Sequence, residues 1–514
     1  RVWSISGGDC YIARLLSESG DGLDADALAR SISARIFKKR RTTKLERATA
    51  YVLASLGQFD IPVSEAFLRH HIGSGASELL AVIKVRKSRG RLFLGHRTFC
   101  FLSSLALLRD EPELRNTYGS ASDLAFQYAQ GLNDSQLFDF LSRLDLSTRQ
   151  NRGLDVSTPT GDQQRGFILQ LWAAFDTLRN RLVRLAEQDP TFGDNIASAV
   201  FAGTVLSHFS GESWEPISGY VRQRWLIESD GVRATGAAPS TERDDFDAIV
   251  ETIERGDPFE DQFRYWEQAS TIDRDRFHHA WLLGLLLLFE GRAQNRDLER
   301  ERLLKSCIAA YCLPSGAVYP QRVVWVTARV LIGLAATGET MDSSNLIRSS
   351  IGWLKQPCPN GPLIDGSFWA HGTGTWNTPY QATAMCLAAL LDLGVSPVDP
   401  IVANARSYLL ERRPDWSTTE NEITRIDVID ALIRAGSDWR AFRDEIQSIV
   451  TWSLDPNSWA SGGSVKATEK NIESSTLPYV TSQLLQLLWT VMKDNTKEIL
   501  REANQRFFES DLRQ

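Results

Sequence analysis

Carboxylates come closest to forming a reactive set in this chain. Asp244, Asp245 and Asp247 crowd the stretch TERDDFDAI, and Asp427 and Asp430 lie three apart in RIDVID. Grouped carboxylates can hold a metal-bound diphosphate or deliver a proton. Protonating an unactivated alkene asks for more: an unusually acidic carboxyl in a D-x-D-D cluster, facing aromatic walls that stabilise a carbocation. No D-x-D-D is present. The first set follows Gly236-Ala237-Ala238-Pro239 and reads as a solvated helix start. The second shares one helical face, where capping or ion pairing with Arg425 and Arg434 is the ordinary role. Cys358, Asp365 and His371 supply the ligand types of a catalytic zinc, but in a turn region that implies no geometry, so no metal ligand is assigned. His278-His279 reads as a helix-start feature. The chain has neither the G-x-x-x-x-G-K-[ST] loop that cradles nucleotide phosphates nor the G-x-S-x-G elbow of a nucleophilic serine. The expectation is a segment with no catalytic residue and no cofactor of its own.

Basic residues concentrate at one place. Lys84, Arg86, Lys87, Arg89 and Arg91 surround Ser88-Arg89-Gly90, a turn flanked by residues that read as a short hairpin. Such a turn suits contacts to phosphates. Yet the chain of 514 residues carries a net charge of -7, so any polyanion site must be local.

These residues need elements to position them. A length of 514 residues predicts several domains, and 43% hydrophobic with 24% charged residues is ordinary for a globular protein. Cys10, Cys100, Cys307, Cys312, Cys358 and Cys386 are scattered without C-x-x-C spacing and read as reduced thiols of a cytoplasmic protein. The most apolar run, Trp281 to Phe289, is shorter than the ~18 residues of a membrane span, so a buried helix is expected and no membrane span. The sequence opens at Arg1 with no signal-peptide pattern, and its natural start is expected upstream.

In the first part, Leu45, Ala48, Val52 and Leu56 share a helix face that Gly57 is expected to end, and Ser64 is placed to cap the next helix. A third helix is expected at Glu78 to Ile83, followed by the basic hairpin. Helix, helix, helix and hairpin describe a winged helix. From about residue 160, apolar helices alternate with amphipathic ones. Asn195–Leu206, Ala280–Phe289, Val323–Ala336, Thr378–Leu391, Ile426–Arg434 and Tyr479–Trp489 are apolar on nearly all sides and are expected to form an inner ring. One-sided helices, such as those carrying Leu304, Cys307, Ile308 and Tyr311 or Phe442, Ile446, Ile449 and Val450, are expected outside them. LAATG at Gly338, LLDLG at Gly394 and LIRAG at Gly436 repeat a helix stop 56 and 42 residues apart, as in stacked hairpins.

Two resemblances sharpen this outline. Gly7-Gly8-Asp9 before a helix, the LASLGQFDIPV stretch and Gly95-His96-Arg97-Thr98-Phe99 after the hairpin together resemble the segment that follows the nucleotide-binding core in signal-transduction ATPases with numerous domains, the STAND class. Cys10 stands where that class carries Pro. The resemblance covers about the first quarter of the chain. It implies a hairpin used as an intramolecular lever rather than for DNA, and an upstream nucleotide-binding domain of the same protein as partner. Further on, Leu354-Lys355-Gln356, Asp365-Gly366-Ser367-Phe368-Trp369 and Trp376-Asn377-Thr378 resemble the repeat of squalene cyclases and prenyltransferase β-subunits, in which an aromatic plugs the gap between hairpins. Asp415-Trp416-Ser417 and Asp455-Pro456-Asn457-Ser458-Trp459 are weaker echoes. This likeness implies an α/α toroid and accounts for the 15 Trp.

The fold expected is therefore all-α: the end of an ATPase lid over 1–40, a winged-helix-like domain and linker over 41–155, an α/α toroid of helix hairpins over 156–495 and a C-terminal helix over 496–514. Trp281, Trp325, Asp365, Trp369, Trp376 and Trp459 are its candidates for the ligand pocket or the repeat turns. The function implied is a non-catalytic sensor that binds a protein, a peptide or an apolar ligand and biases the upstream ATPase. An isoprenoid cyclase or transferase on the same toroid, and a DNA-binding regulator, are the alternatives.

Overall fold

The computed structural model describes residues 32, 36–37, 43–59, 61, 63–73, 86–88, 91–93, 97–142, 144, 162–192, 196–209, 215–223, 271–293, 296–312, 316–318, 324–355, 379–419, 422–454, 473–501 and 503. These are mostly helical, with three short strands. Two compact units divide the chain. One comprises 1–173 and 492–514, and the other 174–491.

The first unit opens with α1 (Lys44–Gly57), whose Thr43 and Glu46 form a reciprocal capping box. Its burial is not the one-sided stripe expected: Ala48 to Leu56 are buried without a break, whereas Leu45 is 40% exposed. The helix is a central one, wrapped by α3 and α5. Gly57 matters for closeness, since a Cβ there would lie 2.4 Å from Cys100 Sγ on α3. β1 (Val63–Ser64) follows, then α2 (Glu65–Ile72), capped as expected by the Ser64 hydroxyl accepting from the Phe67 amide. The third helix expected at Glu78 to Ile83 lies outside the described residues. β2 (Arg86–Ser88) and β3 (Arg91–Phe93) then pair antiparallel with Ser88 opposite Arg91. β1 adds to the other edge of β3, giving the order β1-β3-β2. This third strand was not legible: two residues carry no alternation. Arg97, Thr98 and Phe99, read as part of the closing turn, instead open α3 (Arg97–Asp110).

α4 (Glu113–Tyr118), α5 (Ala121–Gln130), α6 (Asp134–Ser142) and the start of α7 (Asp162–Gln188) complete this unit with the chain's C-terminal residues. Lys493 pairs with Asp134 at 2.7 Å and Lys497 with Asp123 at 2.8 Å. The Lys497 ammonium and the Ser120 hydroxyl hold the Asp123 carboxyl down at about 2. Lys493 and Lys497 thus tie the described residues that follow Met492 to α5 and α6.

The second unit contains α8 (Ile196–Phe209), α9 (Thr271–Arg292), α10 (Leu298–Ala310), α11 (Val324–Ala336), α12 (Asn345–Leu354), α13 (Pro379–Asp392), α14 (Pro400–Glu411), α15 (Arg413–Thr419), α16 (Glu422–Arg434), α17 (Arg443–Leu454) and most of α18 (Glu473–Asp494). α8 packs on α9, α9 on α11, α11 on α13 and α13 on α16. α18 touches both ends of this series. It meets α16 through Gln483 and Asp427, and α8 through the edge-on rings of Tyr479 and Phe201, 4.5 Å apart. Each of the six apolar segments picked out in the sequence lies on one of these helices. The one-sided helices back them: α10 packs on α9, α12 on α11, α14 on α13 and α17 on α16.

The repeated stops share one geometry. Gly338, Gly394 and Gly436 take φ of 87°, 84° and 87°, in the left-handed region that only glycine enters without strain. Each donates to the carbonyl three residues back, while the next amide reaches five back, as Glu339 does to Leu334 and Ser437 to Leu432. Two backbone bonds thus close each helix before the chain turns outward. α9 and α11 also approach closely: a Cβ on Gly333 would lie 2.5 Å from the Gly284 carbonyl oxygen.

Candidate functional site

All six apolar helices contribute to one cavity of about 70 Å³. α8 brings Phe201, α9 Leu288 and Arg292, α11 Arg329 and Ile332. From α13 come Ala384, Met385, Ala388 and Asp392, from α16 Ile426, Asp427, Asp430 and Arg434, and from α18 Gln483 and Gln486. Its polarity is the surprise. Helices apolar on nearly every side would bury hydrocarbon, yet they converge on three arginines and three aspartates. Among the described residues, Phe201 is the one aromatic in the lining.

Buried charges persist only when paired or hydrogen-bonded. Asp427 accepts from Gln381 Nε2 and Gln483 Nε2, each at 2.7 Å, so both its oxygens are occupied by neutral amides. Asp392 accepts from Arg434 Nη2, and Asp430 lies 3.8 Å from Arg434 Nη1. One arginine therefore serves two carboxylates. Arg329 is 7% exposed, with its guanidinium 5.0 Å from the Phe201 ring centre, and its Nε has no hydrogen-bond partner. Arg292 makes no hydrogen bond or ion pair among the described residues. Asp427, Asp430, Arg434 and Arg292 retain accessible surface although they lie deep, because the surface they expose faces the cavity.

Burial pushes the Asp427 carboxyl up to about 6, against the downward pull of the Gln381 hydrogen bond and the Arg329 charge. Burial likewise raises Asp430, opposed by Arg434. It lowers the pKa of Arg292, with Asp392 opposing. A carboxyl whose folded pKa lies above its unfolded value binds more protons when folded, so stability falls as pH rises between the two values. For Asp427 that window runs from its ordinary 3.8 to about 6. Asp427→Asn keeps the shape and removes the ionisation. It is expected to melt above wild type at about pH 8 and to lose that advantage by about pH 4, read as melting temperature against pH.

Trp281 and Trp325 lie on α9 and α11 with rings edge-on at 6.5 Å, and neither lines the cavity. Asp365, Trp369, Trp376 and Trp459 lie outside the described residues, as do Asp244, Asp245, Asp247, Cys358, His371, Lys84 and Arg89. Arg86 and Lys87 sit on β2 and Arg91 on β3. Arg434 meets Asp430 as the sequence suggested, but Arg425 pairs with Glu422 at 2.8 Å instead. Sequence reasoning missed Arg292, Arg329, Asp392 and Gln483. The available signal was a lone charge inside an apolar run, as in VVWVTARVLIGLAA, which must find a partner once that helix is buried. Among the described residues, no group of three His, Cys, Asp or Glu side chains is placed to hold a metal ion, and no helix is long and apolar enough to cross a membrane.

No known protein family matches the chain, and no curated protein matches its sequence.

Proposed function

We propose that the chain is a sensor and regulatory segment of a STAND-type switch. In this reading the second unit is an α/α toroid of helix hairpins whose axis recognises a ligand without transforming it. The first unit carries a winged-helix-like lever that biases an upstream nucleotide-binding domain in the cytoplasm. A conformational bias of this kind needs only that the ligand bind one state of the switch better than the other.

The observation that carries this reading is the charge balance of the cavity. A chamber that makes carbocations needs a strong acid among hydrocarbon and aromatic faces. Asp427 supplies a perturbed carboxyl, but it is held by two amides, and its neighbours Arg329, Arg292 and Arg434 would repel a developing cation rather than shelter it. Recognition suits fixed, opposed charges; carbocation chemistry does not.

Two measurements test the two halves separately. The reading frame that encodes the chain is expected to specify a G-x-x-x-x-G-K-[ST] loop upstream of the Arg1 codon; a frame without one removes the STAND assignment. The chain incubated with squalene or farnesyl diphosphate is expected to return substrate unchanged by mass spectrometry, and a cyclised or transferred product would show that the ring is an enzyme.

A further inference from the structure

Formal charges in the cavity cancel, but hydrogen-bonding capacity does not. Both oxygens of Asp427 are taken by amides, and Asp392 and Asp430 share Arg434. Arg292 has no such partner among the described residues, and the Nε–H of Arg329 is buried without one. The two guanidiniums are near enough for the charge of Arg329 to act on Arg292. On the other side an acceptor is left over: Gln483 is 6% exposed, and its Oε1 has no donor. A buried polar group without a partner is costly, so two surplus donors and one surplus acceptor among the residues of one cavity favour a ligand that pairs with them.

We propose that this cavity binds a small oxyanion that also carries a hydroxyl or amino donor, its anionic oxygens on Arg292 and Arg329 and its donor on Gln483 Oε1. The proposal rests on the reading of the ring as a recognition chamber and names the ligand class that chamber takes. Guanidinium forks match the planar geometry of paired anionic oxygens. The volume of about 70 Å³ suits a molecule of a few heavy atoms.

Binding is coupled to protons. Facing Asp427 are Arg329 from α11, Gln381 from α13, Asp430 from its own helix, and Tyr479 and Gln483 from α18. Arg292 and Asp392 act on the neighbouring Asp430, and α8 presents only Phe201 to the cavity. An added anion favours protonation of Asp427 and Asp430, so affinity rises as pH falls toward 6.

The test is titration calorimetry on the whole chain. Inorganic phosphate and glycolate carry a hydroxyl donor, whereas sulfate and acetate at neutral pH do not. Saturable one-site binding of phosphate or glycolate is expected, at least tenfold tighter than sulfate or acetate, with glycolate binding tighter at about pH 6 than at about pH 8. Arg292→Met separates a ligand role from a structural one. A deep cation without a partner burdens the unliganded fold, so this variant is expected to melt no lower than wild type while losing at least tenfold in affinity. Arg329→Lys, which keeps the charge but loses the fork, is expected to weaken binding too. No saturable binding by any of the four anions, equal binding of sulfate and phosphate, or affinity unchanged in Arg292→Met would each overturn the proposal. An inert chain that binds no anion ends the ligand assignment alone, whereas turnover of an isoprenoid ends the recognition reading beneath it.

Discussion

Arg434→Met is expected to destabilise the protein by roughly 3–5 kcal/mol at neutral pH, the cost typical of breaking a buried ion pair from one side. Arg434 alone serves both Asp392 and Asp430, and methionine would leave two carboxylates deep among apolar helices with no cation in contact. Arg292 acts on both by charge but makes no ion pair with either, so it cannot replace the lost contact. Against a total stability of about 5–15 kcal/mol, a loss of this size is severe. The sign of its pH dependence follows. Burial already raises the Asp430 carboxyl, and removing the cation that opposes this lifts it further above its unfolded value, so the folded variant takes up a proton that the unfolded chain does not. Its deficit should therefore shrink between about pH 7.5 and about pH 5. Urea denaturation of wild type and variant at both pH values measures it. A deficit under about 1 kcal/mol, or one independent of pH, would mean that Arg434 does not hold these charges.

Periodicity exposed the scaffold of the second unit because its signal is local. An apolar segment such as VVWVTARVLIGLAA must be buried on all sides, and the glycine that ends LIRAG must turn the chain, whatever lies beyond. The same logic mis-sized the first helix: Leu45, Ala48, Val52 and Leu56 mark a stripe, but Ala50, Leu53 and Ala54 are equally buried, because small and apolar residues fill the other face too. The cavity was hidden for a different reason. Arg292, Arg329, Asp392, Asp427 and Gln483 come from five helices and are as much as about two hundred residues apart, so no spacing connects them. Asp427 stood out in the sequence beside Asp430, but each of the others looked like a lone polar residue at a helix end or within an apolar run, and only the convergence of the helices makes them one network. Charge at the ends of a buried run thus points to the cavity, whose lining is polar. Trp281 and Trp325, candidates for the ligand pocket or the repeat turns, lie edge-on to one another.

Tryptophan does have a role in holding the hairpins, and Trp416 gives its sharpest test. The side chain is fully buried on the short helix α15, and its indole Nε1–H donates to the Leu409 carbonyl at 2.6 Å. That carbonyl lies in the last turn of α14, where the helix offers it no amide. The ring also lies 6.4 Å from Phe442, in the turn that opens α17, so it bridges one hairpin to the next. Beside it Arg413 reaches Glu445 through two bonds of 2.7 and 2.8 Å and covers the Phe442 ring. Trp416→Ala empties this joint and is expected to cost about 3–5 kcal/mol. Trp416→Phe keeps much of the apolar volume but leaves the Leu409 carbonyl without its donor, for an expected cost of about 1–3 kcal/mol. The ordering matters as much as the size. If packing between hairpins is what the indole supplies, phenylalanine recovers most of the loss in urea denaturation; if phenylalanine is as damaging as alanine, the hydrogen bond to α14 dominates, and the aromatic wedge is not what joins the hairpins.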